Sequence, residues 1–394
     1  MDEEGSTSGA GCLIPRLVIL TEIIAPYRIP IFNALARRPQ LNLHVVFLSE
    51  NDPSMRQWRV YADEIEFSYD VLPSWRRRLG KYNTLINGGV FSILNKIRPN
   101  AILCGGYNYL ASWQAAYWAR LHSLPLLLWS ESTALDQRQG HPPVEFLKAH
   151  FLRSCRAFVV PGKSSLQYLE GFGIPDQRIF IAPNAVDIAL FSAPAQEARR
   201  KQFQVRAHLS LPSRYFLYVG RLVKAKGVFE LLETYAQLDT KVRSEVGLVF
   251  VGDGRDRAEL MARALQIGTG IIQFPGFLQR EELPDFYALA DALVFPTHSD
   301  PWGLVVNEAM SCGLPIIASS VAGCVADLVQ DGWNGFIVSR KDPGQMAAAM
   351  VRLASDSDLR MQMGSRSRQR IEAYSPEAWA DGLVNAMESI CEWS

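Results

Sequence analysis

The chain has 394 residues, 48% hydrophobic and 20% charged, and its 40 basic and 40 acidic side chains balance. That much apolar material suits two or three folded domains and excludes disordered, collagen-like and coiled-coil chains. Zero net charge gives the molecule no overall field for nucleic acid, so no nucleic-acid partner is expected.

Residues 1–12, MDEEGSTSGAGC, are polar, small and acidic, as in a flexible leader rather than a targeting sequence. The six cysteines (Cys12, Cys104, Cys155, Cys312, Cys324, Cys391) lack CxxC or Cys/His ligand spacing and read as reduced thiols of a cytoplasmic protein. Short apolar runs then follow in order: RLVILTE, LNLHVVFLS, AILC, LPLLLW, AFVVP and RIFIAP. Near-continuous Val/Ile/Leu runs suit strands buried on both faces of a parallel sheet. Helically spaced stretches such as SILNKIR separate them. The uncharged stretch from Ala101 to Ala119 is interrupted by Gly105-Gly106, Asn108, Ser112 and Gln114, so it reads as strand, turn and helix, not a membrane span.

At Pro183-Asn184 the first series ends, and an irregular segment is expected to lead to a polar helix. A second series begins with YFLYVG and continues through GLVFVGDG, IIQFPG, ALVFPT, PIIAS and GFIVS. Two strand-helix series predict an α/β chain of two Rossmann-like, doubly wound domains facing a cleft. The expected bounds are 13–185 for the first domain and 186–375 for the second. A last helix, 376–394, opens with Ser375-Pro376 as cap and first helical residue and is expected to pack back across the cleft.

Ligands of open α/β sheets collect at the carboxyl ends of strands, so the loops there carry the candidates. After YFLYV comes Gly220-Arg221-Leu222-Val223-Lys224-Ala225-Lys226-Gly227. Arg221 and Lys226 would stand at the sheet edge, a planar fork and a mobile point charge suited to a diphosphate. An isolated pair of this kind also fits a solvated basic loop. Asp253 in VGDG reads mainly as a helix cap. Phe277 and Leu278, after Pro275-Gly276, offer backbone groups to a planar base. The strongest segment is ALVFPTHSDPWGLVVNEAMSCGLPIIAS. There Asp300 precedes a helix that starts near Gly303, and the amides of Gly303, Leu304 and Val305 would face an anion. Glu308, among Val, Ala and Met, would be an expensive buried carboxylate unless it binds ligand hydroxyls.

GRLVKAKGV, VGDG, PGFL and DPWGLVVNEAMSCGLP together resemble the signature loops of the retaining glycosyltransferases of family 4, which have the two-domain GT-B fold. In the first half only APYRIPIFNAL and PNAVD are similar. The resemblance implies that Arg221 and Lys226 hold the diphosphate of a nucleotide sugar. Glu308 would bind the ribose hydroxyls, the Leu304 and Val305 amides the phosphates and sugar, and the backbone near Phe277 and Leu278 the base. The family's Glu-x7-Glu pair falls on Asp300 and Glu308, with Asp one methylene shorter at the first position. Two cations and helix amides would stabilise the leaving diphosphate without a metal or other cofactor, and no DxD pair sits in a suitable loop. The expected partners are a nucleotide-sugar donor and a glycan or polyprenyl-diphosphate-linked acceptor. Alternatives are a soluble small acceptor, or a non-catalytic nucleotide-sugar-binding protein. A dinucleotide-dependent dehydrogenase is disfavoured because no GxGxxG follows the first strand.

For the acceptor side, Glu131 follows LPLLLW and reads either as an acceptor-activating or sugar-positioning group or as a helix cap. Arg28, in APYRIP, would face the cleft. His298 is either a sugar or phosphate contact or a loop-packing residue, and no tryptophan is assigned to the site. Residues 71–130 contain no acid but seven cations, including Arg76, Arg77, Arg78 and Lys81. Their mixture with aromatic residues suits peripheral contact with an anionic cytoplasmic membrane face, or a solvated loop.

Overall fold

A computed structural model describes residues 14–51, 57–79, 82–134 and 142–391. The leader and Lys81 therefore lie outside the described residues, and of Arg77 and Arg78 only the backbone is described. In the first half the strands are β1 (Arg16–Thr21), β2 (Asn42–Phe47), β3 (Ser68–Val71), β4 (Ser74–Leu79), β5 (Tyr82–Asn87), β6 (Ala101–Cys104), β7 (Leu126–Trp129), β8 (Ala157–Val160) and β9 (Ile179–Ile181). Seven of them form one parallel sheet in the order β3-β2-β1-β6-β7-β8-β9. The second half contributes β10 (Tyr215–Val219), β11 (Gly247–Val251), β12 (Ile272–Gly276), β13 (Ala292–Phe295), β14 (Ile316–Ser319) and β15 (Gly335–Val338). These make a parallel sheet in the order β12-β11-β10-β13-β14-β15.

Both sheets are covered on both faces, as the continuous apolar runs require. Along β1, Leu17 and Ile19 enter one core while Val18 and Leu20 enter another. Along β10, Tyr215, Leu217 and Val219 face one core, and Phe216 and Tyr218 the opposite one. The chain is thus two Rossmann-like α/β units. Strand order reverses direction between β1 and β6 and between β10 and β13, the places where such sheets leave a crevice.

Three local expectations are corrected. The irregular segment expected after Asn184 is largely a helix, Ile188–Arg200. Asp187 caps it by accepting from the Ala189 and Leu190 amides at 3.0 and 3.1 Å, and Phe191, Ala195 and Ala198 bury its inner face. The basic stretch is not an open loop: β4 and β5 pair as an antiparallel hairpin, from Ser74 opposite Asn87 to Leu79 opposite Tyr82. Asp253 caps no helix, because the next one begins at Arg257 after Asp256. Its Oδ1 instead accepts from the Gly254 amide at 2.8 Å.

Helix Pro376–Cys391 lies against β8, β9 and helix Ile29–Ala36. Trp379, Ala380 and Leu383 are buried in the core of the first half with Phe32 and Trp129. Among the described residues, no helix is long and apolar enough to cross a membrane.

Candidate active site

The two loops at the β10/β13 reversal meet at one ion pair. After β10 the chain turns through residues 220–223, makes a short 3-10 helix, Lys224–Lys226, and enters helix Val228–Gln237 at Gly227. Gly227 has φ +71°, and a Cβ there would lie 2.0 Å from the Pro296 carbonyl oxygen. Only glycine lets the two loops come this close. Lys226 Nζ then reaches across to Asp300 Oδ2 at 2.5 Å and to the Ser299 carbonyl at 3.2 Å. Both side chains are largely buried, 13% and 18% exposed.

Asp300 is fixed by its own loop as well. Its Oδ1 accepts from the Trp302 amide at 3.2 Å, and its carbonyl accepts from the Gly323 amide at 2.9 Å. Gly303, at φ +99°, caps helix Leu304–Ser311, and a Cβ would strike the Phe295 ring. Among the described residues no side chain caps the amides of this helix, and Gly303, Leu304 and Val305 line the cavity, so its N-terminus opens there with its partial positive charge. The helix is anchored from below. Trp302 Nε1 donates to Asn307 Oδ1 at 2.9 Å, and Asn307 Nδ2 donates to the Asn184 carbonyl at 2.8 Å. The closing PNAVD of the first half is therefore built into the second half's helix.

Glu308 stands one turn into that helix. Tyr287, buried on helix Leu283–Leu289, donates its hydroxyl to Glu308 Oε2 at 2.6 Å. Burial pushes the Glu308 carboxyl up to about 7, while the Tyr287 hydrogen bond pulls it down. Burial also raises the Tyr287 hydroxyl well above its ordinary value, and the neighbouring Glu308 raises it further. The tyrosine therefore stays a donor across the physiological range.

Gly220, Arg221, Lys226, Asp300, Gly303, Leu304, Val305 and Glu308 all line one cavity of about 390 Å³. Arg28 and Glu131 of the first half border the same cavity, which thus lies between the two sheets. A larger adjoining cavity, about 920 Å³, brings in Asp253, Phe277 and Leu278, with Arg221 and Glu308 again on its wall. The second-half candidates are thereby gathered into one continuous space. His298 is turned away from it: Nε2 lies 2.9 Å from Glu230 and the backbone amide donates to the Ala225 carbonyl. Among the described residues, no three His, Cys, Asp or Glu side chains come together as metal ligands would.

On the first-half side, the loops at the β1/β6 reversal hold Arg28. It donates to Thr21 Oγ1 at 2.5 Å, lies 3.7 Å from Glu131 Oε1 and stacks 4.5 Å above the Trp129 ring. Burial works against its charge, but Tyr27, Glu131 and Glu22 outweigh that and raise its pKa. Arg28 and Glu131 also line a polar cavity of about 230 Å³ with Glu22, Tyr107 and Ser130–Ser132, closed on one side by Pro301. Residues 132–134, immediately after Glu131, are not helical, so it caps no helix there. Arg76, by contrast, belongs to the hairpin, donating to the Asn51 carbonyl at 3.1 Å.

Sequence reading passed over Tyr287, which sits in an ordinary apolar run. It also left Trp58 and Trp129 unassigned, although both border the 390 Å³ cavity. Trp129 carried one usable signal, since it ends a buried strand immediately before the loop of Glu131.

Comparison with known proteins agrees with this geometry. Residues 200–370 match the family model described as "Glycosyl transferases group 1", and residues 33–190 match "Glycosyltransferase Family 4". The chain belongs to the family 4 glycosyltransferases, and its fold is GT-B. A D-inositol 3-phosphate glycosyltransferase of Xylanimonas cellulosilytica is 32% identical over 222 residues, 54% of this chain and 52% of that protein. The enzyme of the same name from Corynebacterium jeikeium is 29% identical over 232 residues, 56% and 54% of the two chains. The chain thus matches about half the length of these relatives. Among solved structures, Anabaena HepE in complex with UDP-glucose superposes with a TM-score of 0.73 at 18% identity, covering 95% of this chain and 100% of that one. The lipopolysaccharide outer core galactosyltransferase WaaB gives 0.69 at 18% identity, with 95% and 99% coverage.

Proposed function

We propose that the chain transfers a sugar from a nucleoside-diphosphate sugar to an acceptor held by its first half, retaining the configuration at the anomeric carbon and using no metal ion. The observation that carries this reading is the meeting of Arg221, the Lys226–Asp300 pair and the uncapped amides of helix Leu304–Ser311 on one cavity. When the bond between the anomeric carbon and the diphosphate breaks, negative charge grows on phosphate oxygens and the sugar becomes oxocarbenium-like. Cations and helix amides already in place stabilise that anion without reorganisation. Glu308 accepts from the ribose hydroxyls, and Asp300 lies where donor-sugar hydroxyls would meet a carboxylate. Arg28 and Glu131 face the acceptor. Its hydroxyl attacks from the side the diphosphate leaves, and its proton passes to Glu131 or to the departing phosphate.

Transfer assays with UDP-, GDP-, ADP- and TDP-sugars in excess EDTA test the reading. Full activity with one donor is expected; loss of activity that Mg²⁺ or Mn²⁺ restores would reject the metal-free mechanism.

The favoured acceptor is a glycan or polyprenyl-diphosphate-linked sugar at an anionic membrane face, met by the basic hairpin. The relatives named for D-inositol 3-phosphate favour a second reading, a small phosphorylated acceptor. Basic residues near an anionic surface contribute about 1 kcal/mol each. Co-sedimentation with anionic vesicles at moderate salt should therefore fall sharply in the Arg76/Arg77/Arg78→Ala variant. Binding that is equal in both proteins, or absent from both, would favour the small acceptor.

A further inference from the structure

We propose that the first half supplies a wall of the nucleoside subsite: Trp58, backed by Gln57, closes over the donor's base and ribose. This rests on the nucleotide-sugar reading above and adds a binding residue to it. Three cavities, of about 390, 920 and 180 Å³, meet at Glu308, and Trp58 borders all three. One aromatic ring of the first half thus shares a cavity wall with the carboxylate assigned to the ribose and with Phe277 and Leu278, assigned to the base. Tyr27 holds the indole edge-on, with centroids 5.7 Å apart and planes at 83°.

A polar clasp across the cleft fixes this position. Gln57 Nε2 donates to Asp253 Oδ2 at 3.4 Å, and its carbonyl accepts from Gln279 Nε2 at 3.3 Å. The Arg59 amide donates to Gln279 Oε1 at 3.3 Å. Tyr61 donates to Glu281 Oε2 at 2.9 Å, while Arg280 pairs with Glu64 and lies 3.6 Å from the centre of the Tyr61 ring. Arg280 is 13% exposed but Glu64 is 40% exposed, so this ion pair contributes position more than energy. The links join the segment around Trp58 to two loops of the second half, Gln57 to Asp253 after β11 and the others to residues 279–281 after β12, so the ring is held where a base would stack.

An aromatic ring stacks on any base through its π-face. The contact therefore raises affinity for nucleotides and does nothing for a bare diphosphate. The test is calorimetric titration of UDP, GDP, ADP and inorganic pyrophosphate into wild type, Trp58→Ala and Trp58→Phe. Wild type should bind at least one nucleotide. Trp58→Ala should weaken that nucleotide about 10- to 100-fold, Trp58→Phe should recover most of the loss, and pyrophosphate should bind all three proteins alike. Nucleotide binding by Trp58→Ala at wild-type strength would overturn the proposal. So would an equal loss of pyrophosphate and nucleotide in both variants. Failure of wild type itself to bind any nucleotide would instead remove the donor reading on which the proposal rests.

Discussion

Lys226→Ala is expected to lower kcat/KM for the donor by at least about 100-fold, from loss of a charged contact at the leaving group. The structure explains why the effect exceeds that of a surface lysine. Lys226 Nζ is the cation facing Asp300, 2.5 Å away, in a part-buried pocket. Without it, Asp300 would stand unpaired beside an incoming diphosphate, and repulsion would add to the missing attraction. Asp300→Asn in the Lys226→Ala background should recover part of the loss, because it removes the uncompensated carboxylate. Initial-rate kinetics on wild type and the two variants decide this, and near-wild-type kcat/KM in Lys226→Ala would contradict the role assigned to the lysine.

Glu308 gives the second large effect. Glu308→Ala should also cost at least about 100-fold in kcat/KM, and its protonation adds a pH signature. With the carboxyl raised to about 7 by burial, only about a tenth is ionised at pH 6 and about nine-tenths at pH 8. Ribose hydroxyls donate best to the ionised form, so donor binding should tighten about tenfold across that window. Glu308→Gln should flatten the dependence. Tyr287→Phe should move its midpoint upward, since the tyrosine hydrogen bond holds the carboxyl down. Stability should run the other way. A carboxyl raised in the folded state holds its proton more firmly there than in the unfolded chain, so stability falls as pH rises from about 4.5 to about 7. Glu308→Gln should accordingly melt higher than wild type at pH 8, without that advantage below pH 4.

All six apolar runs of the second half became strands because parallel strands buried on both faces must be continuously apolar. Glu308 was legible for the complementary reason: a carboxylate inside such a pattern needs a ligand to justify it. What escaped reading lacked either signal. β3 (SYDV) and β4 (SWRRRL) are half-exposed or polar and show no apolar run. Asp253 looked like a cap because it precedes a helix, yet the helix starts four residues later. Tyr287 and Trp58 acquire meaning only through residues far along the chain, Glu308 for one and the loop after β12 for the other. No local pattern encodes such partners.

The most direct test is the crystal structure of the chain with the nucleoside diphosphate that binds it best. Diphosphate density between Arg221, Lys226 and the amides of Leu304 and Val305, with the ribose at Glu308, is the predicted result. Nucleotide density confined to any other cavity would contradict the account.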